Sequence, residues 1–417
     1  MNIYGWIILA ALLANYFLEL VSDRLNLAAL EPELPQEFAG VYDPAEYARS
    51  QQYTRTRTGF GLLTGTFNLL ILLLFWQLGG FNALDQLVRG WQFNVIVTGL
   101  IFSGLLLLAK TVISLPFTLY STFVIEEKFG FNRTTPATFV ADLLKGLLLT
   151  VLLGGPLLAG VLWFFEATGQ FAWLWCWFAV TLFTLIVQFV APTWIMPLFN
   201  KFSPLEEGAL REAIFSFADS VGFSLQNVFV MDGSKRSSKS NAFFTGFGRN
   251  KRIALFDTLI NKHSVGELVA VLAHEIGHYQ KKHILQGIMI SIVHTGVMLY
   301  LLSIFVSHPG LFSAFAMEHS SVYAGLLFFG LLFTPLEMIL APLMHMLSRH
   351  NEYEADRFAV TNTDEPENMI NALKKLAATN LANLTPHPFH VFLHYSHPPL
   401  LARIAAIREI TPREQNR

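Results

Sequence analysis

The chain has 417 residues, of which 53% are hydrophobic and 14% are charged. Soluble proteins carry about a quarter charged residues, so this composition excludes an ordinary soluble domain and indicates a polytopic membrane protein. No basic stripe with interleaved aromatics is present, so nucleic acid is not expected as a partner. The single cysteine, Cys176, excludes an internal disulfide and a cysteine-based metal site, and any metal must therefore bind histidines and carboxylates.

Seven segments are apolar enough to cross a membrane, each having about the 20 residues that a spanning helix needs. The first begins at the N-terminus without the basic start or cleavage site of a signal peptide, so we expect it to be a retained membrane helix. The seven predicted spans are residues 3–22, 60–79, 94–116, 142–163, 172–192, 284–307 and 321–346.

The connections between these spans alternate in their content of Lys and Arg. The basic ones are 23–59, 117–141, 193–283 and the tail after 347, and the poor ones are 80–93, 164–171 and 308–320. Basic connections face the cytoplasm, which predicts an N-terminus outside and a C-terminus inside. One missed helix would break the alternation, so the charge pattern supports the count of seven.

The connection 23–59 contains a helix start, with Asp43 as the cap and Pro44 at the first helical position. A short helix is predicted to follow, and it carries several basic and aromatic side chains: Arg49, Tyr53, Arg55 and Arg57. This helix fits a solvated position at the membrane interface and a substrate-facing position equally well.

Several charged residues lie within the predicted spans. Glu19, Lys110 and His345 are near span ends, where side chains can reach the interface. His294 and Glu337 lie deeper, where charges usually face protein or water. They indicate either a hydrated internal cavity or a buried contact between paired groups.

The long connection 193–283 has a pattern of its own. It begins with an amphipathic helix at 205–222, followed by three strand-like runs at 227–231, 241–247 and 252–256, and a polar, basic loop at 232–240. Ser264 and Glu267 then form a capping box. The helix that this box starts is predicted to continue through residue 278.

That helix carries the pattern His274-Glu275-x-x-His278. Two histidines one turn apart on the same face can bind one zinc ion. Glu275, beside them, can take a proton from a water bound to that metal. The alternative is a surface helix with two ordinary histidines.

A catalytic zinc needs a third protein ligand, and 348–357 offers one. Glu352 and Asp356 share a helix face at i,i+4 spacing, so one can bind metal while the other orients a ligand histidine, and Glu354 points elsewhere. A solvated, charged helix start is the alternative. His397, before two prolines, could donate to an oxyanion, but from the residues alone an ordinary turn histidine is favoured.

Taken together, these motifs resemble the integral-membrane zinc metalloproteases of the CaaX prenyl protease family, type I. The matching stretches are 120–133, 197–201, 240–246, 251–257, 271–279, 351–356 and 395–399. The resemblance implies a barrel of seven membrane helices around a large water-filled chamber, with the site at its cytoplasmic end.

The resemblance also implies roles for individual residues. His274, His278 and Glu352 match the ligands of one zinc ion, Glu275 matches the general base, and Asp356 matches the carboxylate that orients a ligand. Two further residues match those that hold the substrate backbone or the oxyanion, namely Asn241 and His397. The strand with Asn241 would pair with an extended substrate.

We therefore expect a mainly α polytopic membrane protein with a small α+β cytoplasmic metalloprotease portion. Its reaction would be hydrolysis near the C-terminus of prenylated CaaX-type substrates. A protease for misfolded membrane proteins and a metal-binding transporter or channel are the alternatives. The expected partners are a peptide or protein substrate, with or without a lipid, and membrane lipid. The short tails carry no retention signal, which favours a bacterial inner membrane over an organelle.

Four parts of the chain are expected. Residues 1–200 would hold transmembrane helices 1–5 with the cytoplasmic segment 23–59, and residues 201–283 the cytoplasmic α+β segment with the zinc-binding helix. Residues 284–346 would hold transmembrane helices 6–7, and residues 347–417 a cytoplasmic helical segment with the third ligand.

Overall fold

The structure is a computed structural model that describes residues 1–225, 227–245, 252–363 and 365–414. Its helices are, in chain order, α1 (Ile3–Ala28), α2 (Pro44–Gln77), α3 (Gly80–Arg89), α4 (Val95–Tyr120), α5 (Pro136–Leu149), α6 (Gly155–Ala167), α7 (Ala172–Val190), α8 (Ala209–Ser220), α9 (Asp257–Ile260), α10 (Val265–Gln280), α11 (His283–Phe305), α12 (Pro309–Ala314), α13 (Val322–Asn362), α14 (Pro366–Thr379), α15 (Pro388–His394) and α16 (Leu400–Glu414). Its strands are β1 (Phe202–Pro204), β2 (Val228–Met231), β3 (Ala242–Thr245) and β4 (Arg252–Phe256).

Within the described ranges, seven helical segments are long and apolar enough to cross a membrane, which confirms the predicted number. They are α1, α2, α4 with its π-helical continuation, α5 and α6 joined by a π-helical turn, α7 with its flanking turns, α11 and α13. The short helix predicted after Asp43 is wrong as a separate element, because α2 runs unbroken from Pro44 to Gln77. The predicted cap is confirmed, since the Asp43 carboxylate accepts from the Ala45 N–H at 2.7 Å.

The membrane helices pack tightly at one end. Buried side chains from α2, α3, α13 and the end of α12 form a cluster there, in which the rings of Phe315 and Phe328 stack at 3.8 Å. Elsewhere the packing is open, because at most 22% of the most apolar window of any spanning helix is buried. Cavities of about 970, 480 and 350 Å³ lie between neighbouring helices. The expected mainly α polytopic membrane architecture with a small strand-containing portion is confirmed.

The four-stranded sheet outside the membrane helices has the order β1-β2-β4-β3, with β2 and β4 parallel and the other pairs antiparallel. Each predicted strand is present, and β3 is described from residue 242 to 245. Residues 246 and 247 of the predicted strand lie outside the described residues. So do residues 246 and 251, which belong to two of the matching stretches. The predicted helix at 205–222 is the shorter α8. The sequence reasoning missed β1, which has only three residues and ends in a proline.

In this sheet β3 is an edge strand. The Phe256 N–H donates to the Asn241 carbonyl at 3.1 Å, so these two residues form a hydrogen-bonded pair. Because pairs alternate along an antiparallel ladder, the backbone groups of Ala242 and Phe244 point away from β4, toward the free edge. Among the described residues, no other strand pairs with that edge.

The loop 232–240 connects this sheet to the membrane helices. Arg236 donates to both oxygens of Asp142 in α5, at 2.7 and 2.8 Å. The Lys239 ammonium lies 2.8 Å from a Glu126 oxygen and 2.7 Å from the Tyr53 hydroxyl. The basic side chains of this loop therefore hold the start of β3 against α2 and the end of α4.

Candidate active site

The first part of the site is the buried face of α10. The Ser264 hydroxyl accepts from the Glu267 N–H, and the Glu267 carboxylate accepts from the Ser264 N–H, so the predicted capping box is present. The helix continues for four turns and brings the Nε2 atoms of His274 and His278 to within 3.2 Å of each other. Glu275 lies between them in sequence and lines the same cavity as His278.

The third side chain of the cluster comes from α13, which continues without a break beyond its apolar, membrane-spanning part. Glu352 Oε1 lies 3.3 Å from His278 Nε2, and Glu352 Oε2 lies 3.4 Å from His274 Nε2. Tetrahedral zinc with ligand bonds of about 2.0–2.1 Å separates neighbouring ligand atoms by about 3.3 Å, so the spacing fits zinc. Glu352 Oε2 is buried and has no hydrogen-bond partner among the described residues, which a metal would supply.

Asp356 and Arg403 support His274 on the Nδ1 side of its ring, away from the other two residues of the cluster. Asp356 Oδ1 lies 2.9 Å from His274 Nδ1, so the proton sits on Nδ1 and Nε2 is left free to bind metal. Arg403 in α16 donates to both oxygens of Asp356, at 2.6 and 2.7 Å. Arg403 also lies 3.4 Å from Glu352, and its side chain is buried. One guanidinium thus supports two members of the cluster.

A different chain of contacts supports His278. Its Nδ1 lies 3.0 Å from Nδ1 of the buried His283, and His283 Nε2 lies 3.1 Å from Glu354 Oε2. The Glu354 carboxylate accepts a hydrogen bond from the His283 Nε2–H, so His283 Nδ1 is the acceptor for the His278 N–H. This arrangement fixes both tautomers and leaves His278 Nε2 free for a metal.

Glu275 is half-buried beside the free edge of β3. Burial raises the pKa of its carboxyl, while the neighbouring His274 and His278 and a hydrogen bond with the Phe244 backbone act in the opposite direction. That contact places the outward-facing backbone of β3 directly beside the predicted general base. Any peptide that adds to this edge would therefore lie against Glu275.

The two remaining predicted residues differ in their placement. His397 lies in the cluster, with Nε2 3.3 Å from Glu352 Oε1 and Nδ1 2.9 Å from the Ser396 hydroxyl. Asn241 is exposed at the start of β3, where its side-chain oxygen accepts from the Ala242 N–H. The structure thus brings six of the seven predicted site residues into one connected group and places Asn241 at the strand beside it.

A cavity of about 970 Å³ opens next to Glu275 and His278 and continues between α11 and α13 into the membrane region. Most of its wall is apolar. Its wall also contains an ion pair, His294 and Glu337, which the sequence singled out and which lie 3.0 Å apart across the two helices. The two groups pair with each other, are half-buried rather than buried, and line the cavity.

Sequence reasoning missed Arg403 and His283, and it gave Glu354 no role. Arg403 follows the His-Pro-Pro turn by several residues, and nothing in its surroundings distinguishes it from an exposed helical arginine. The sequence contained a weak signal for His283, since it is a third histidine only five residues after His278, at the start of the next helix. Its pairing with Glu354 depends on how α11 packs on α13.

Comparison with known proteins covers both halves of the chain. A family model described as CAAX prenyl protease N-terminal, five membrane helices, matches residues 24–201, and Peptidase family M48 matches residues 204–411. CAAX prenyl protease 1 of Saccharomyces cerevisiae is 36% identical over 416 residues, covering 93% of this chain and 91% of that protein. The CAAX prenyl protease 1 homolog of Homo sapiens is 33% identical, covering 90% and 88%. The crystal structure of S. mikatae Ste24p has a TM-score of 0.91 at 34% identity, covering 98% and 99%.

Proposed function

Since the chain belongs to peptidase family M48, with the membrane portion of the CAAX prenyl proteases, and is thus an integral-membrane metalloendopeptidase, we propose that it cleaves a peptide bond near the C-terminus of prenylated CaaX-type proteins. The family resemblance drawn from the motifs is confirmed. The names of the relatives favour this substrate class over general degradation of misfolded membrane proteins. A family of peptidases gives no support to a metal transporter or channel.

The observation that carries the proposal is the cluster of His274, His278 and Glu352, whose possible ligand atoms lie 3.2–3.4 Å apart beside the half-buried Glu275. Two histidines, one carboxylate and an open position are typical of a catalytic zinc, so we assign one zinc ion here. Zinc in this position supplies a water of lowered pKa and polarises a substrate carbonyl.

The residues around the cluster have separate roles in the proposed reaction. Glu275 takes the proton of the attacking water and then delivers it to the leaving amine. His397 donates a hydrogen bond to the carbonyl oxygen as negative charge develops there. Asn241 holds the substrate backbone where β3 begins, and the free edge at Ala242 and Phe244 pairs with the extended substrate.

We further propose that the site faces the cytoplasm. The alternating charge of the connections supports an outside N-terminus and an inside C-terminus. The division of the chain into four parts at 200/201, 283/284 and 346/347, and a bacterial inner membrane as the location, remain predictions.

The test is cleavage of a farnesylated CaaX peptide by the purified protein in detergent or in vesicles, followed by mass spectrometry. We expect one cut near the C-terminus, loss of activity with a chelator, and recovery with added zinc. A protein that contains zinc and leaves the peptide intact would contradict the proposed function. Cleavage that persists after the metal is removed would contradict the assigned chemistry.

A further inference from the structure

We propose that the cavity between α11 and α13 is the binding site for the isoprenyl chain of the substrate, and that the His294–Glu337 pair limits the length of the chain. This inference rests on the proposed function and adds a lipid subsite to it. In a CaaX protein the lipid is attached to the cysteine of the C-terminal motif, close to the bonds proposed for cleavage. A cavity that begins at Glu275 and His278 opens beside that attachment point.

The shape of the cavity fits a long apolar group. Its volume of about 970 Å³ is at the upper end of the range for ligand sites, about 300–1,000 Å³. One face of α11 and one face of α13 form the walls, with residues recurring at helical spacing, such as Ile290, Val293 and Val297. An amino-acid side chain would leave most of this volume empty, whereas an isoprenyl chain would extend along it.

The chemistry of the walls also fits. Among the described residues that line the cavity between its mouth and the His294–Glu337 pair, the side chains of α11 and α13 are mainly aliphatic or Met. Several are exposed although they are apolar, including Met289 at 54% and Val293 at 59%. Exposed apolar surface of this kind is covered favourably by a hydrocarbon chain, at about 25 cal/mol per Å² buried.

The polar pair lies near the deep end of the cavity. His294 follows His283 by eleven residues, which at about 1.5 Å per residue places it about 16 Å further along α11. Only one more turn, at Val297, lines the cavity beyond it. A chain long enough to pass the pair would have to separate His294 from Glu337 and leave both unpaired, which is unfavourable at membrane depth.

A bilayer lipid tail is the other apolar group available to this cavity. The continuity of the cavity with the catalytic glutamate favours the substrate, because a chain anchored beside the scissile bond enters at that end. A bilayer tail has no anchor there. It would also affect prenylated and unprenylated peptides alike.

The test compares one peptide in three forms: unprenylated, farnesylated and geranylgeranylated. Wild-type protein should cleave the farnesylated form with a kcat/KM at least about tenfold above the unprenylated form. Equal values would overturn the lipid subsite and leave the proposed protease intact. No cleavage of any form would instead count against the proposed function.

Gly287 allows the cavity to be filled without disturbing its neighbours. It lines the cavity, and a Cβ built on it meets no atom within 4 Å. Gly287→Leu should lower the ratio of kcat/KM for farnesylated over unprenylated peptide about tenfold. Gly330→Leu is the matched control, because Gly330 also has open space around it but lies outside this cavity, and it should keep the wild-type ratio.

The length limit is tested with the double variant His294→Leu/Glu337→Leu, which removes the polar pair without leaving one member unpaired. It should raise the ratio of kcat/KM for geranylgeranyl over farnesyl peptide about tenfold. An unchanged ratio in a variant of normal melting temperature would overturn the limiting role. If Gly287→Leu slows all three peptides equally, the cavity holds a bilayer lipid and the isoprenyl assignment is wrong.

Discussion

The metal centre and the cavity beneath it are adjoining regions built in opposite ways. At the metal centre almost every polar atom has a defined partner, and Asp356, Arg403 and His283 hold the ligands from behind. The cavity walls are apolar and partly exposed, with one polar pair near the far end. The geometry is therefore fixed where we propose that the peptide bond is cleaved, and open space is left where we propose that the isoprenyl chain binds.

Glu275→Gln tests the first half of this comparison and should have the largest effect. Gln keeps the size of the side chain and removes its capacity to accept a proton from water. We expect activity to fall by about 10²–10⁴ or more while zinc content stays at one ion per chain. Metal analysis and peptide cleavage measure the two quantities, and a zinc-loaded variant with full turnover would refute the general base.

Removal of the metal should loosen the protein as well as stop catalysis. The proposed ligands lie on α10 and α13, so the ion joins the zinc-binding helix to a membrane helix. A ligand that binds only the folded state stabilises it by about 4 kcal/mol at a thousand times its dissociation constant, and the melting temperature should fall by several degrees on removal. An unchanged melting temperature in chelator would show that α10 and α13 hold together without the ion.

Local spacing along single helices explains which parts of the candidate site could be predicted from the sequence. Glu352 and Asp356 share a helix face, and Ser264 and Glu267 start α10, so each is encoded by local spacing. Local spacing of this kind is visible without a fold. The His-Glu-x-x-His pattern belongs to the same class, whereas the contact of Glu352 with these histidines depends on how α10 packs on α13.

The contacts that were missed are all long-range. Arg403 reaches Asp356 across 47 residues, and His283 meets Glu354 across 71, so only the packing of α11 and α16 on α13 creates them. The union of the predicted interfacial helix with α2 was missed for another reason. Its first turns carry polar residues, and hydropathy marks only the apolar part of a continuous helix.

His283→Ala tests whether the support behind His278 is part of the metal centre. It removes the acceptor of the His278 N–H, and we expect zinc affinity to fall about 10–100-fold. His283→Gln, whose side-chain oxygen can accept the same hydrogen, should recover part of that loss. Competition with a metal indicator measures affinity independently of cleavage.

The control for this variant is His350→Ala, an exposed histidine on α13 near Glu354. It should leave zinc affinity unchanged. If His283→Ala and His350→Ala bind zinc as tightly as the wild type, the contact of His283 with His278 has no role in holding the metal.

The smallest effect is expected from Lys239→Met, which acts outside both regions, where the start of β3 is attached to the membrane helices. Lys239 pairs with Glu126 and Tyr53 and lies 4.3 Å from the centre of the Phe131 ring. Met retains the apolar stem and loses the charge. The start of β3 then loses part of its attachment to α2 and α4, while the metal ligands are untouched.

The edge strand should consequently bind substrate less well, because an ordered edge is what an extended peptide adds to. We expect KM to rise about threefold to tenfold, equivalent to about 1 kcal/mol, with kcat and zinc content unchanged. Lys235→Met, at an exposed position of the same loop, should leave KM at the wild-type value. A fall in kcat at constant KM would instead mean that the loop positions Glu275 through Phe244, and that the strand and the metal centre form one rigid unit.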